Sequence, residues 1–197
     1  MDHFLIWCGV LVAPVFISIF LIEGYLRKGY LPLRQPVSAL AIGPRGWIQR
    51  ANFFITGALA LLYAFSLQGW GSILTIIFGA GLVGAGVFVT DVTGSPKQDS
   101  GPVIRSRAGL LHDIFSLPVF MALLVNCFVF AQGFSASGED AWTVYSRLSG
   151  ILLAVFFVFA GVGFSGSPKF AHIGGLMQRL SISIGWIWLS VVALHLL

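Results

Sequence analysis

The sequence has little charge and few cysteines. Charged residues make up 9% of its 197 residues, against about 25% in a typical soluble domain. Hydrophobic residues make up 57%, so a soluble globular domain is excluded. The two cysteines, Cys8 and Cys127, both lie in apolar segments. That is the usual setting of a small buried hydrophobe rather than of a redox pair.

Several membrane chemistries lack the residues they need. There is no His-Glu-x-x-His motif and no Cys/His cluster with zinc spacing, so we expect no metal and no cofactor. All three lysines, Lys28, Lys97 and Lys169, lie in predicted loops, which leaves no amine within a span for a retinal Schiff base. No carboxylate lies in the middle of a predicted span, which argues against a proton-coupled transporter.

Long apolar stretches are what the sequence does contain. A membrane-spanning helix needs roughly 20 mostly apolar residues, and six stretches satisfy this. We therefore predict an all-α fold, a polytopic membrane bundle of six transmembrane helices that forms a single domain over residues 1–197. The predicted spans are 4–22, 51–68, 72–90, 109–132, 144–164 and 176–197.

A short signature recurs at the start of every second predicted helix, at intervals of 63 and 66 residues. This period predicts three helical-hairpin repeats, at about 1–68, 69–132 and 142–197. The three copies are Gly46-Trp47-Ile48-Gln49-Arg50, Gly109-Leu110-Leu111-His112-Asp113 and Gly175-Leu176-Met177-Gln178-Arg179.

The basic residues predict the orientation in the membrane. The first, third and fifth loops with their helix ends hold 10 of the 11 Lys and Arg residues. The positive-inside rule therefore places these loops in the cytoplasm and both termini outside the cell membrane. Because the basic charge is a topology signal, we expect membrane lipids as partners and no nucleic acid.

Three charged residues occupy the same place in the three signatures: Arg50, Asp113 and Arg179. A charge within a membrane is costly and usually pairs inside the protein, so we expect Asp113 to pair with Arg50, Arg179 or both. Two interpretations stay open. The cluster is a structural clamp between hairpins, or it is a site for a lipid headgroup or a similar small anionic or amphiphilic ligand.

The ligand interpretation also includes the residues one position earlier in the outer copies. Gln49 and Gln178 would add hydrogen-bond donors to the predicted ligand site of Arg50, Arg179 and Asp113. Apolar helices above this site could hold an acyl or isoprenoid tail.

His112 supports a different class of function, an intramembrane enzyme that acts on a lipid-like substrate with His112 as acid or base. Adjacent helical residues point about 100° apart, so Asp113 cannot orient the His112 ring, and Asp91 is the best candidate for that role. The alternative is structural: Asp91 caps the turn 91–94, and His112 donates to a loop carbonyl.

Two further patterns predict local structure. Gly79, Gly81, Gly84 and Gly86 form a G-x-G-x-x-G-x-G string, but no strand precedes it, so close helix packing is a better explanation than dinucleotide binding. The apolar segment 36–42 is expected to lie along the membrane interface as a short helix.

Several motifs, in this order and spacing, resemble a known family, the six-span membrane proteins grouped as domain of unknown function 998. The resemblance implies a membrane location and this architecture, and it implies no reaction. The matching segments are Pro36-Val37-Ser38-Ala39-Leu40, Gly43-Pro44-Arg45-Gly46-Trp47-Ile48-Gln49-Arg50, Gly81 to Phe88 with Thr90-Asp91, Gly109 to Pro118, Ser149-Gly150, Gly175 to Leu180, and Gly185-Trp186.

Overall fold

The computed structural model describes residues 2–92 and 105–197. Within these ranges the chain forms six α-helices and one 3-10 helix. They are α1 His3–Leu26, the 3-10 helix Val37–Ala41, α2 Gly46–Ala64, α3 Gly69–Val87, α4 Arg107–Ala136, α5 Asp140–Phe164 and α6 Gly174–His195. The all-α prediction is confirmed over this part of the chain.

The six helices form a closed ring. Each α-helix packs against the next one in the chain, and α6 packs against α1. Trp186 of α6 lies in the centre of the ring, 5.3 Å from Phe16, 4.9 Å from Phe78 and 5.9 Å from Phe120 between ring centroids. Aromatic side chains from α1, α3, α4 and α6 thus fill the middle of the bundle.

Five of the six α-helices in the described ranges are long and apolar enough to cross a membrane, and α2 is not among them. The buried face of α2 carries Gln49, Asn52 and Thr56, all 0% exposed. Because α2 lies between α1 and α3, this polar face is shielded from the surroundings of the bundle. Asn52 Nδ2 donates to the Phe16 carbonyl of α1 at 3.0 Å.

The outer faces of the helices are apolar. On α5, for example, Ile151, Val155 and Val158 are 50%, 42% and 61% exposed. A soluble monomer rarely exposes so much contiguous apolar surface. Together with the five candidate spans, this surface indicates a multi-pass membrane protein. A sixth span and the three-hairpin repeat stay predictions.

The glycine string of α3 packs against helices on both sides. Gly79 and Gly86 face α2, and Gly81 and Gly84 face α4. A Cβ added to Gly79 would lie 2.9 Å from the carbonyl oxygen of Gly57, and one added to Gly81 would lie 2.8 Å from a backbone oxygen of α4. The prediction of close helix packing is therefore confirmed.

The Ser190 hydroxyl of α6 forms hydrogen bonds with the backbone of α1 next to Pro14. Ser190 Oγ accepts from the Ala13 N–H at 2.9 Å and donates to the Gly9 carbonyl at 2.9 Å. It therefore contacts both groups of one helical i, i−4 pair, one residue before Pro14. This contact joins the first and last helices of the ring.

The segment around residues 36–42 forms a short helix as predicted. Val37 and Leu40 are 1% and 0% exposed, and the 3-10 helix packs against α1, α2 and α6. Its apolar side chains are thus covered by the protein, and its position at the membrane interface stays a prediction. The end of the bundle that holds this helix, the α1–α2 and α5–α6 connections, the end of α3 and the start of α4 is called the basic end below.

Candidate functional site

An amphipathic cavity of about 510 Å³ lies inside the ring at the basic end. This volume falls within the range of about 300–1,000 Å³ that is usual for small-molecule sites. Its apolar wall includes the aromatic side chains Phe16, Phe120, Phe157 and Trp186. Its polar residues, together called the cavity mouth, are Ser38, Thr90, Arg105, His112, Asp113, Ser116, Ser165 and Gln178.

His112 is held in the cavity mouth by the end of α3. Its ring is 3% exposed, and Nδ1 lies 2.9 Å from the Phe88 carbonyl oxygen and 3.1 Å from the Ala85 carbonyl oxygen. These carbonyls belong to the last turn of α3, where backbone carbonyls have no N–H partner within the helix. Because both neighbours of Nδ1 are acceptors, Nδ1 carries a proton, and in the neutral ring Nε2 is the acceptor that is left for a ligand.

Gln178 is held in a similar way on the opposite side. Its Oε1 accepts from the Val37 N–H at 2.8 Å, so the 3-10 helix fixes the amide. No hydrogen bond of its Nε2 group to another described residue is found. Gln178 lines the cavity, and its NH₂ group is therefore a donor that a ligand can use.

Trp186 lines the cavity with its ring. The side chain is 1% exposed, and Nε1 has no hydrogen-bond partner among the described residues. A buried donor without a partner costs about 1–3 kcal/mol.

Asp113 does not pair as expected. Its Oδ2 lies 3.0 Å from Arg105 NH1, and the two side chains are 51% and 65% exposed. The predicted ion pair with Arg50 or Arg179 is wrong. An exposed pair of this kind contributes only about 0–1 kcal/mol, so Arg105 and Asp113 both remain usable by a ligand.

Arg179 forms hydrogen bonds with other residues of the chain. It is 8% exposed, and it donates to the carbonyls of Pro32, Gln35 and Gly175 and to the Tyr30 hydroxyl. These contacts, called the Arg179 clamp, tie the α1–α2 connection to α6. Arg179 does not line the cavity.

Two further predicted ligand residues also lie outside the cavity. Arg50 donates from Nε to the Gly86 carbonyl at 2.9 Å. Gln49 is 0% exposed beside Asn52, whose Nδ2 lies 3.4 Å from Gln49 Oε1. Of the five residues predicted to bind a ligand, the structure therefore places Gln178 and Asp113 in the cavity wall and Arg50, Arg179 and Gln49 elsewhere.

The proposed catalytic pair of His112 and Asp91 does not form. Asp91 Oδ2 accepts from the Ser106 N–H at 2.9 Å, at the start of α4, while backbone carbonyls orient the His112 ring. Part of the predicted 91–94 turn, residues 93–94, lies outside the described residues. Within the described ranges no three metal-ligating side chains come together.

The ion pairs of Glu23 with Arg27 and Arg45 were not predicted from the sequence. Glu23, near the end of α1, is 2% exposed. Its carboxylate accepts from Arg27 at 2.7 Å and from Arg45 at 2.6 Å. The sequence did contain a signal for the pair with Arg27, since Arg27 follows Glu23 by four residues, the spacing that favours an ion pair on a helix.

The ring of apolar helices and its internal cavity define a polytopic helical membrane protein with one candidate small-molecule site. A family model described as "Protein of unknown function (DUF998)" matches residues 10–195. The chain belongs to this family. No curated protein and no solved structure matches the chain.

Proposed function

We propose that this protein binds a membrane amphiphile in the cavity at the basic end. The proposal rests on the lining of the cavity, where aromatic side chains form one part and fixed polar groups form another. An amphiphile likewise has an apolar part and a polar part. Its polar group would lie in the cavity mouth, and its hydrocarbon part would contact Phe120, Phe157 and Trp186.

The fixed polar groups support a headgroup with both donors and acceptors. His112 offers Nε2, the ring nitrogen that the α3 carbonyls leave free, whereas Gln178 offers a donor at Nε2. Arg105 offers a positive charge in the cavity mouth, and its exposed pairing with Asp113 is weak enough to be replaced. A headgroup that carries a hydroxyl and an anionic oxygen would match all three.

A second candidate function is catalysis on the same amphiphile. The observation that favours it is the locked His112 tautomer, because a ring whose Nδ1–H is bound to carbonyls presents a basic nitrogen at Nε2. In this proposal His112 accepts a proton from a lipid hydroxyl or from water. The backbone of α3, not Asp91, orients the base.

Native mass spectrometry of protein extracted in a mild detergent tests the main proposal. We expect an amphiphile to co-purify with the wild-type protein and to be reduced in His112→Asn. Asparagine keeps an N–H close to the position of Nδ1 but has no counterpart of Nε2, so the variant separates capping of α3 from contact with a ligand. Loss of the ligand supports binding, whereas a retained ligand that is no longer converted supports catalysis.

Two results would contradict the proposal. One is a wild-type protein that carries no amphiphile after mild extraction. The other is a folded double variant, His112→Asn with Gln178→Phe, that carries the same ligand in the same amount as the wild-type protein.

We also propose that α2 is a sixth span, that the chain consists of three hairpins, and that both termini face outside. The first glycine of the first two signatures supports the repeat, because Gly46 and Gly109 each lie in close contact with the connection that directly precedes their helix, whereas Gly175 contacts the α1–α2 connection. A cysteine placed at Lys28 should resist an impermeant thiol reagent in intact cells, and one added after Leu197 should react. The opposite pattern would reject the orientation.

A further inference from the structure

The helices α4 and α5 are in close contact along only part of their length. Away from the basic end, Gly150 of α5 is so near α4 that an added Cβ would lie 2.9 Å from Phe128. Closer to the basic end, the rings of Phe120 and Phe157 still lie 4.5 Å apart. One turn further, a Cβ added to Gly161 would meet no atom of the described residues within 4 Å.

Each of these two helices is held at the basic end by its other neighbour. Gly81 and Gly84 of α3 lie against Phe115 and Val119 of α4. On the other side, Gly163 of α5 lies against the start of α6, where an added Cβ would be 2.6 Å from the Gly174 Cα. The close contacts therefore draw α4 toward α3 and α5 toward α6, which separates α4 from α5.

The gap between α4 and α5 lies next to both the cavity and the outer surface of the ring. Leu117 of α4 and Gly161 of α5 both line the cavity, and both are exposed, Leu117 by 53%. Gly161 lies three residues before the end of α5, or about 5 Å along the helix axis at 1.5 Å per residue. The gap, called the α4–α5 opening, thus lies beside the last turn of a candidate membrane span.

We propose that the cavity is filled from the bilayer through the α4–α5 opening, so that its ligand is a lipid with a hydrocarbon tail rather than a small water-soluble anion. This inference rests on the proposed function of the cavity. The tail lies between Leu117 and Gly161, and the headgroup lies in the cavity mouth. Access from the side lets the headgroup stay near the membrane surface while the tail remains in an apolar environment.

Cysteine labelling tests the access route without knowledge of the ligand. In a protein whose Cys8 and Cys127 are replaced by alanine, Ile182→Cys places a thiol in the cavity wall. N-hexadecylmaleimide in proteoliposomes reports access from the bilayer. A small charged methanethiosulfonate reagent reports access from water.

Gly161→Trp should block the opening. We expect it to slow hexadecylmaleimide labelling on the order of tenfold, which corresponds to a barrier raised by about 1.4 kcal/mol. Gly133→Trp is the matched control, because Gly133 also lies three residues before the end of its helix and an added Cβ there also meets nothing within 4 Å. Gly133 does not line the cavity, so this variant should label at the original rate. If Gly161→Trp does not fold, Leu117→Trp blocks the opening from the other side.

The inference is wrong if Gly161→Trp and Gly133→Trp label equally fast with hexadecylmaleimide. It is also wrong if Gly161→Trp slows labelling by the charged reagent as much as labelling by hexadecylmaleimide. Native mass spectrometry of the wild-type protein separates this failure from failure of the proposed function. A bound lipid with unslowed labelling rejects only the route. A cavity that carries no amphiphile rejects the proposed function and, with it, the lipid assignment.

Discussion

Gln178 and Arg179 are neighbours in α6, yet they belong to two different polar regions. The Arg179 side chain donates to three carbonyls and one hydroxyl of its own chain. Gln178 uses its oxygen on Val37 and keeps its NH₂ group for the cavity. The comparison teaches that depth along the bundle does not decide which polar residue is available to a ligand. Availability depends on how many hydrogen-bond donors and acceptors remain after those used within the fold.

The largest effect should come from breaking the Arg179 clamp. Arg179→Ala removes the donor of four hydrogen bonds. Hydrogen bonds to a charged group contribute about 1.5–3 kcal/mol each. Because the Tyr30 hydroxyl keeps its bonds to the Gln35 and Pro36 carbonyls, we expect less than the full sum, a loss on the order of 4 kcal/mol in the free energy of unfolding. Denaturation in detergent measures it. Arg50→Ala is the control, since Arg50 donates to one carbonyl, and a loss as large in this variant would contradict the comparison.

A change at the neighbouring residue should affect the ligand and leave the fold intact. Gln178→Glu keeps an oxygen for the Val37 N–H but replaces the NH₂ donor with an acceptor. We expect the bound amphiphile to be held about tenfold less tightly, the equivalent of 1.4 kcal/mol, with the melting temperature nearly unchanged. The control is Gln132→Glu, the same change at an exposed position. Equal loss of ligand in both variants would show that added negative charge, not the lost donor, is responsible.

A smaller effect is expected where a hydroxyl serves only the fold. Ser190→Ala removes the bridge between the Gly9 carbonyl and the Ala13 N–H. Such a hydrogen bond contributes about 1 kcal/mol, and we expect this loss of stability with no change in ligand content. Ser66→Ala serves as the control, because the Ser66 hydroxyl donates to the Tyr63 carbonyl within its own turn and Ser66 does not line the cavity. A strong loss of ligand in Ser190→Ala would show that the two regions are not independent.

The smallest effect on stability is expected at the end of the bundle opposite the basic end. His195 Nε2 lies 2.6 Å from Glu139 Oε2, and this hydrogen bond, with that from Ser137, holds the pKa of Glu139 below its ordinary value. A lowered pKa means that the contribution to stability is complete above the ordinary pKa and is lost as the pH falls through the folded-state value. We expect the wild-type protein to lose slightly more stability than Glu139→Gln on acidification from pH 6 to about pH 3, below the ordinary Glu pKa. Parallel melting curves for the two proteins would contradict this.

The fold could be predicted largely from the sequence because it depends on long apolar runs and on glycines. Both signals are local: a run of about 20 apolar residues gives a long helix, and Gly79 to Gly86 give close packing on two sides. Helix α2 is the instructive case. Its buried Gln49, Asn52 and Thr56 lower its hydropathy, although its neighbours shield that face.

The site was only partly predictable because it depends on which way side chains point and on where helices separate. Gln178, Asp113 and His112 were identified from their position in the repeat. Arg179 was assigned to the same cluster, since no pattern in the sequence shows that the α1–α2 connection brings carbonyls within its reach. The cavity is lined by residues of all six α-helices and of the 3-10 helix, and no single motif in the sequence specifies a space enclosed by so many elements.

The most direct test of a lipid in the cavity is photocrosslinking from inside the ring in intact cells. A small diazirine-bearing aliphatic residue at Ile182, which is 4% exposed and lines the cavity, should yield one dominant amphiphile adduct by mass spectrometry. The same residue at Ile187, which is 45% exposed on the outer face of α6, should yield a mixture of bulk membrane lipids. No adduct at Ile182, or the same mixture at both positions, would contradict the proposal that this cavity is a specific ligand site.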